Sequence, residues 1–365
     1  MLNCLLLLTL LAATTHAQLQ GPQAIPSSVP TTVTYPDGIF AGLPALDRPP
    51  AVDPSILALY NLASIPDAIR NIPVKVFNST TGTGNCPTSL ATCDWGCYKC
   101  RRDSDVVMCP NKNAWGLTYD DGPSPYTPAL LDYLDNTGVR ATFCVIGSRV
   151  TQRPAVLLRE FAAGHQICAH TWSHSLMTTQ TNEVLIMEFE YTLRAIELVI
   201  GTRPKYWRPP FGDVDDRVRA VMNLMGMQPL LWDNDPYDWQ STSAAYQPSW
   251  IPNNFTRWVT NSVLADHGHI SLEHDLYSVS AAQAPGAVQI LLNGGFRPQS
   301  AAECIGDWHP YKDATITIPK SQGSWVKSYS QSQSKSSSFS VILSGNVMMM
   351  VMSASLVIII SLILL

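Results

Sequence analysis

The stretch Trp115-Gly116-Leu117-Thr118-Tyr119-Asp120-Asp121-Gly122-Pro123 reads as an apolar strand that ends in two adjacent carboxylates and a Gly-Pro turn. The chain bends at such a turn, so the two carboxylates can point apart. One can then bind a cation while its neighbour accepts a proton. As an isolated string, Asp-Asp-Gly reads by default as a solvated turn, so a functional meaning depends on what surrounds it.

Outward from this stretch, strand-like and helix-like segments alternate. Apolar runs recur at Trp115–Asp120, Ala141–Ile146, His165–His170, Lys205–Arg208, Gln228–Asp233 and His269–His274. Helical patterns lie between or after them at Thr127–Asn136, Pro154–Ala163, Asn182–Ile200, Val214–Met225, Pro252–Ala265 and Gln283–Leu292. Such alternation predicts parallel strands joined by crossover helices. The number of units favours an α/β fold built as a distorted or incomplete (β/α) barrel over an open doubly wound sheet. No glycine-rich phosphate loop stands at a strand-to-helix turn, which removes the usual nucleotide-binding readings. The polar clusters sit at the C-terminal ends of the strand-like runs, where a parallel barrel builds its active site.

Four further clusters follow that rule. His170 and His174 are four residues apart and can bind one metal from a single turn. With Asp121 they form an Asp/His2 set that leaves positions open for water and substrate, unlike a closed structural site. In Arg208-Pro209-Pro210-Phe211-Gly212-Asp213 the prolines fix an extended path, and Arg208 can pair with a carboxylate. Asp233-Asn234-Asp235-Pro236-Tyr237-Asp238-Trp239 is a dense acidic end to an apolar strand; it lacks the ligand spacing of an EF-hand. Ser271-Leu272-Glu273-His274-Asp275 places a histidine at the end of the last clear strand, whereas His267 and His269 fall earlier, as core or rim.

In order and spacing these five motifs resemble the NodB-type polysaccharide deacetylases of carbohydrate esterase family four, with the nearest likeness to fungal chitin deacetylases. The likeness spans about Cys109 to Cys304 and implies a NodB-type barrel. The family's TFDDGP stands here as residues 118–123 with Tyr119 for Phe, implying Asp120 as general base and Asp121 as metal ligand. HTxxH implies His170 and His174 as the other ligands, and Arg208 matches the arginine that holds the base. Phe211 stands where Tyr is common, its backbone N–H available to an oxyanion. DxxDW, residues 235–239, would orient the acid through Asp235 or Asp238, and the LxH motif gives Leu272 and His274, making His274 the general acid. Trp172, Trp207 and Trp239 are candidates for stacking on sugar rings. The implied cofactor is one divalent metal ion, Zn2+ with Co2+ as the alternative, and the implied substrate is chitin or another N-acetylglucosamine polymer. An esterase for acetylated xylan and an inactive carbohydrate-binding wall protein are the competing readings on the same scaffold.

The net charge of -5 and a pI near 5.9 offer no basic face, so a nucleic-acid partner is not expected. Residues 1–17 read as a secretory signal peptide, with a short apolar run before Thr15-His16-Ala17. Residues 18–85 form a Pro/Thr-rich arm expected to be flexible or loosely draped, with one short helix within Asp53 to Arg70. Residues 86–112 form a Cys-rich cap, 113–304 the deacetylase-like domain and 305–338 a Ser-rich linker; 339–365 is an apolar tail. Small residues at Ser336, Ser337 and Ser338 before that uncharged tail match a GPI-attachment signal, with Ser336 as the site. A plain C-terminal transmembrane helix is the alternative. These features predict a secreted monomer, held by a GPI lipid at the cell membrane or wall. Sequons at Asn78 and Asn254 suit a glycosylated surface. Of nine cysteines, Cys4 lies in the leader, and the remaining eight fit an oxidising compartment. Disulfides are favoured over zinc at Cys97-x-x-Cys100, while Cys144 and Cys168 lie in strands where they can stay free thiols.

Overall fold

β1 (Ala114–Asp120) is buried along its whole length, as expected of a strand covered on both faces. In the computed structural model, which describes residues 35–80, 83–262 and 265–321, six further strands form one parallel sheet with it. These are β2 (Thr142–Val145), β3 (Gln166–Ala169), β4 (Tyr206–Trp207), β5 (Gln228–Pro229), β6 (His269–His274) and β7 (Arg297–Gln299). The order is β5-β4-β3-β2-β1-β6. β7 pairs with Ala114–Gly116 and β2 with Thr118–Asp120, so these two share the edge of β1 opposite β6.

The sheet curls far enough to close at one end. Beyond β5 the chain makes a parallel bridge from Asn234 to Ser271 of β6, and Leu272 N donates to Asn234 O at 2.9 Å. Val106 fills the edge beside Leu230, its N–H bonded to Pro229 O and its carbonyl accepting from Leu231 N. The expected incomplete barrel is therefore seamed at the C-terminal ends of the strands, which is the end that carries the motifs. β5 is only two residues long because the chain after it leaves the ladder to make these contacts, while Lys205 before β4 turns its N–H to Pro310 O.

The crossover helices are α1 (Thr127–Thr137), α2 (Gly147–Gln152), α3 (Pro154–Ala162), α4 (Asn182–Ile200), α5 (Asp216–Leu224), α6 (Trp250–Asn261) and α7 (Ser278–Asn293), followed by the short α8 (Ala301–Ile305). α4 starts on Thr181, whose hydroxyl accepts from Val184 N, and stops at Gly201 with φ 75°. No helix among the described residues is long and apolar enough to cross a membrane.

The arm is not loosely draped from residue 35 on. Ile56 is buried, Tyr60 Oη donates to Glu190 of α4 at 2.8 Å, and Ala45 O accepts from Trp172. The Cys-rich cap carries Cys86–Cys97 and Cys93–Cys100, and Cys109–Cys304 joins the cap's end to α8. Buried Arg219 of α5 pins the cap, donating to Cys93 O, Cys100 O and Asp105. Cys144 and Cys168 are register partners on β2 and β3 and are free thiols. The chain divides into two units, Met1–Trp325 and Val326–Leu365. The second unit, the signal-like leader, Ser336 and the apolar tail lie outside the described residues.

Candidate active site

At the seamed end of the barrel, a cleft of about 1010 Å³ is lined by Asp120, Asp121, His170, His174, Phe211 and His274, among others. Each comes from the end of a different strand or the loop after it, except for the adjacent pair Asp120–Asp121 and the histidines of one turn. Of the eight non-glycine residues with positive φ among the described residues, five stand in these motifs: Asp121, Thr171, His174, Phe211 and Tyr237. Strain of that kind persists where the surroundings over-determine the backbone, and it clusters at functional sites.

Asp121 Oδ1 lies 3.3 Å from His170 Nε2 and 3.1 Å from His174 Nε2. His170 Nδ1 sits 2.8 Å from Arg208 O and must donate to it, which leaves Nε2 as a bare lone pair. Asp121 Oδ1 is buried and has no hydrogen-bond partner although two ring nitrogens face it. Acceptor against acceptor at this separation is the arrangement that a shared cation resolves, so the donor set fits a divalent metal. Where no ion is bound the two rings can carry protons instead, and in that form burial opposes ionisation of Asp121 but His174 and His170 hold its carboxyl well below the usual carboxylate range.

Asp120 is buried beside this set and accepts from Arg208 Nη1 at 2.7 Å. Arg208 is itself wholly buried, with Nη1 also donating to Thr118 Oγ1, Nε to Leu230 O and Nη2 to Leu231 O. A single residue thus fixes the base candidate with its side chain and a ligand candidate with its carbonyl.

His274 Nδ1 lies 2.7 Å from Asp238 Oδ1, and the His274 N–H donates to Asp238 Oδ2 at 2.7 Å. Burial pushes the imidazole pKa down, but Asp238, with smaller help from Asp121 and Asp120, lifts it to about 10. Of the two acids that the motif offers for this role, Asp238 is the one hydrogen-bonded to His274, and Asp235 is not. Asp235 accepts from Tyr237 N at 2.7 Å and Trp239 Nε1 at 3.4 Å, so it shapes the turn that carries Asp238.

The aromatic expectations divide by exposure. Trp239 is 46% exposed on the cleft wall, while Phe211 is 61% exposed with its ring 4.6 Å from that of His174. The turn bonds run from Gly212 N to Pro209 O and from Asp213 N to Pro210 O, which leaves the Phe211 N–H outside them. Leu272 lines the cleft as expected. Trp172 does not: it is fully buried, with Nε1 donating to Ala45 O at 2.9 Å. Trp207 is buried too, against Phe189. Neither can stack on a sugar.

Sequence reasoning missed what holds the histidine loop. Glu188, buried on α4, accepts from Trp172 N, Ser173 N and Ser173 Oγ at 2.7, 2.9 and 2.5 Å. Asp213 accepts from Thr178 N, and Arg217 donates to Thr178 O and Gln180 O. The one signal for Glu188 is an acid amid the apolar positions of a long helix. The cap also contributes: Lys99 lines the cleft with its Nζ 5.1 Å from the centre of the Trp95 ring.

An open-faced Asp/His2 donor set flanked by a clamped carboxylate and a charged imidazole defines a metal-assisted hydrolase type of site. The polysaccharide deacetylase profile matches residues 108–230, and the chain belongs to that family, whose members depend on a metal. It is 37% identical to Chitin deacetylase 1 of Cryptococcus neoformans var. grubii over 81% of this chain and 63% of that one. Chitin deacetylase of Amylomyces rouxii is 34% identical over 70% of this chain and 63% of its own, so the chain spans under two thirds of either relative. For Chitin deacetylase 1 of Saccharomyces cerevisiae the identity is 33%, over 71% of this chain and 79% of the relative. The solved chitin deacetylase from Colletotrichum lindemuthianum superposes with a TM-score of 0.54 at 27% identity, covering 57% of this chain and 95% of that one.

Proposed function

We propose that this chain hydrolyses the N-acetyl groups of N-acetylglucosamine residues in chitin, giving chitosan and acetate. The observation that carries this reading is the convergence of Asp120, Asp121, His170, His174 and His274 on one cleft. A donor set of two imidazoles and one carboxylate suits Zn2+, with Co2+ as the alternative. When bound, the ion supplies Lewis-acid polarisation of the acetyl carbonyl and acidifies water. Asp120, fixed by Arg208, accepts the proton of the attacking water. The Phe211 N–H donates to the oxyanion that develops on the carbonyl. His274, kept charged by Asp238, gives its proton to the leaving nitrogen as the C–N bond breaks. Trp239 and Tyr237 offer exposed rings to the sugar chain, and Leu272 offers apolar floor. The relatives' names favour chitin as the polymer.

The test is acetate release from N-acetylglucosamine oligomers, acetylated xylan and peptidoglycan by metal-loaded protein and its D120N variant. Release from the oligomers should fall about 10²–10⁴-fold in the variant. Unchanged release overturns the role of Asp120, and release from xylan alone overturns the substrate.

We further propose that the protein is exported and acts as a monomer at the cell membrane or wall, held by a GPI lipid at Ser336. Glycosylation is proposed at Asn78, whose Oδ1 accepts from Thr80 N at 2.9 Å. It is proposed at Asn254 too, whose Nδ2 donates to Pro236 O at 3.1 Å and keeps one hydrogen after glycosylation. Phosphatidylinositol-specific phospholipase should release the protein from membranes; retention points instead to a spanning tail.

A further inference from the structure

We propose that Asp233, His267 and His269 form a second site for a transition-metal ion such as Zn2+ or Cu2+, separate from the catalytic set. One ligand atom from each of the three lies within 4.8 Å of the others. His269 opens β6 and His274 closes it, which puts this cluster about 16 Å from the acid along a parallel strand.

The tautomers carry the argument. His267 Nδ1 lies 2.8 Å from the carbonyl of Gly268 and donates to it, so its Nε2 is a bare lone pair on a partly exposed ring. Ser262 has one hydroxyl proton and two neighbours at 2.7 Å, Trp258 O and His269 Nε2. On a helix the proton goes to the carbonyl four residues back, so Ser262 Oγ accepts from His269 Nε2–H. A neutral His269 then presents its Nδ1 lone pair to Asp233 Oδ2 at 2.5 Å, two acceptors face to face. The residue types are those of Asp121, His170 and His174, but the contact is closer, 2.5 Å against 3.1–3.3 Å, so an ion here must part His269 Nδ1 from Asp233 Oδ2 and take both as ligands with His267 Nε2. Asp233 Oδ1 is already occupied by the Ile270 N–H at 2.7 Å, which anchors the carboxylate to β6. The competing arrangement is a doubly protonated His269 paired with Asp233, which needs no ion.

Equilibrium dialysis against Zn2+, with metal counted by elemental analysis, separates the two. The chelator-stripped wild-type chain should take up two equivalents, whereas H267A and D233N should each take up one. D233N retains an acceptor for the Ile270 N–H, so its fold does not depend on the charge. D121N should also take up one, held at the second site. The Trp115 ring lies 5.1 Å from that of His269, so Cu2+ should quench indole emission in D121N and not in D121N/H267A. Saturation of the wild type at one equivalent overturns the proposal, as do two equivalents in H267A and D233N.

Discussion

Arg208 does two jobs that pull on one another. Its guanidinium clamps Asp120 while its carbonyl sets the tautomer of His170, so a shift of this residue disturbs base and ligand together. Lysine has no planar fork, and R208K is expected to lose activity although it keeps the charge. Asp238 gives the clearest pH prediction. With the His274 pKa lifted to about 10, the acid form persists through neutral pH and is lost only as pH rises through that value. D238N removes the chief cause of the lift, so the alkaline limb of kcat/KM should move down by about 1–3 pH units. An unmoved limb would assign the acid to another residue. The same pair has a stability side: its contribution is fully present below the unfolded value near 6.5 and fades as pH rises toward about 10. That Asp238, not Asp235, serves His274 was not legible from the motif. Either acid fits the spacing, and the positive φ of Tyr237 decides which one turns inward.

Among the elements, α4 and β6 match the residues that the sequence pattern marks, because each has a clean period and definite ends. α2 escaped notice: Gly147–Gln152 has too short and polar a run to register as helical. β5 was expected to run to Asp233 because its continuation is as apolar as a strand, yet that continuation bonds to Val106 and β6 instead. Trp172 was misjudged for a similar reason. Its burial depends on Ala45, 127 residues earlier, and local sequence cannot report that. The same helix α4 governs the ligand loop. E188A would strand the N–H groups of Trp172 and Ser173, at about 1–3 kcal/mol each. Since those residues lie between His170 and His174, the variant should also bind metal about 10–100-fold more weakly. Chelator competition measures this, and an unchanged affinity with lowered stability would make Glu188 purely structural.

At the scale of the whole molecule, the arm, the cap and α8 are tied to the barrel by side chains and by Cys109–Cys304, whose sequence separation is 195. Closing a loop of that size restricts the unfolded chain by about 5 kcal/mol. C109S/C304S should therefore unfold at clearly lower denaturant, and an unshifted midpoint would place the stability elsewhere. Because cap residues Trp95 and Lys99 line the cleft, reduction should also weaken substrate binding before it unfolds the barrel. The register of β1 and β6 reaches further. Asp120 and His274 are direct partners across that ladder, so their side chains leave the same face of adjacent strands. The gap between proton acceptor and proton donor is thus a property of the pleated backbone, indifferent to most repacking around it. Lineages are free to remodel loops, cap and rim while this interval persists. A single-residue deletion inside β6 is different: it would slide Asp275 opposite Asp120 and face one carboxylate with another.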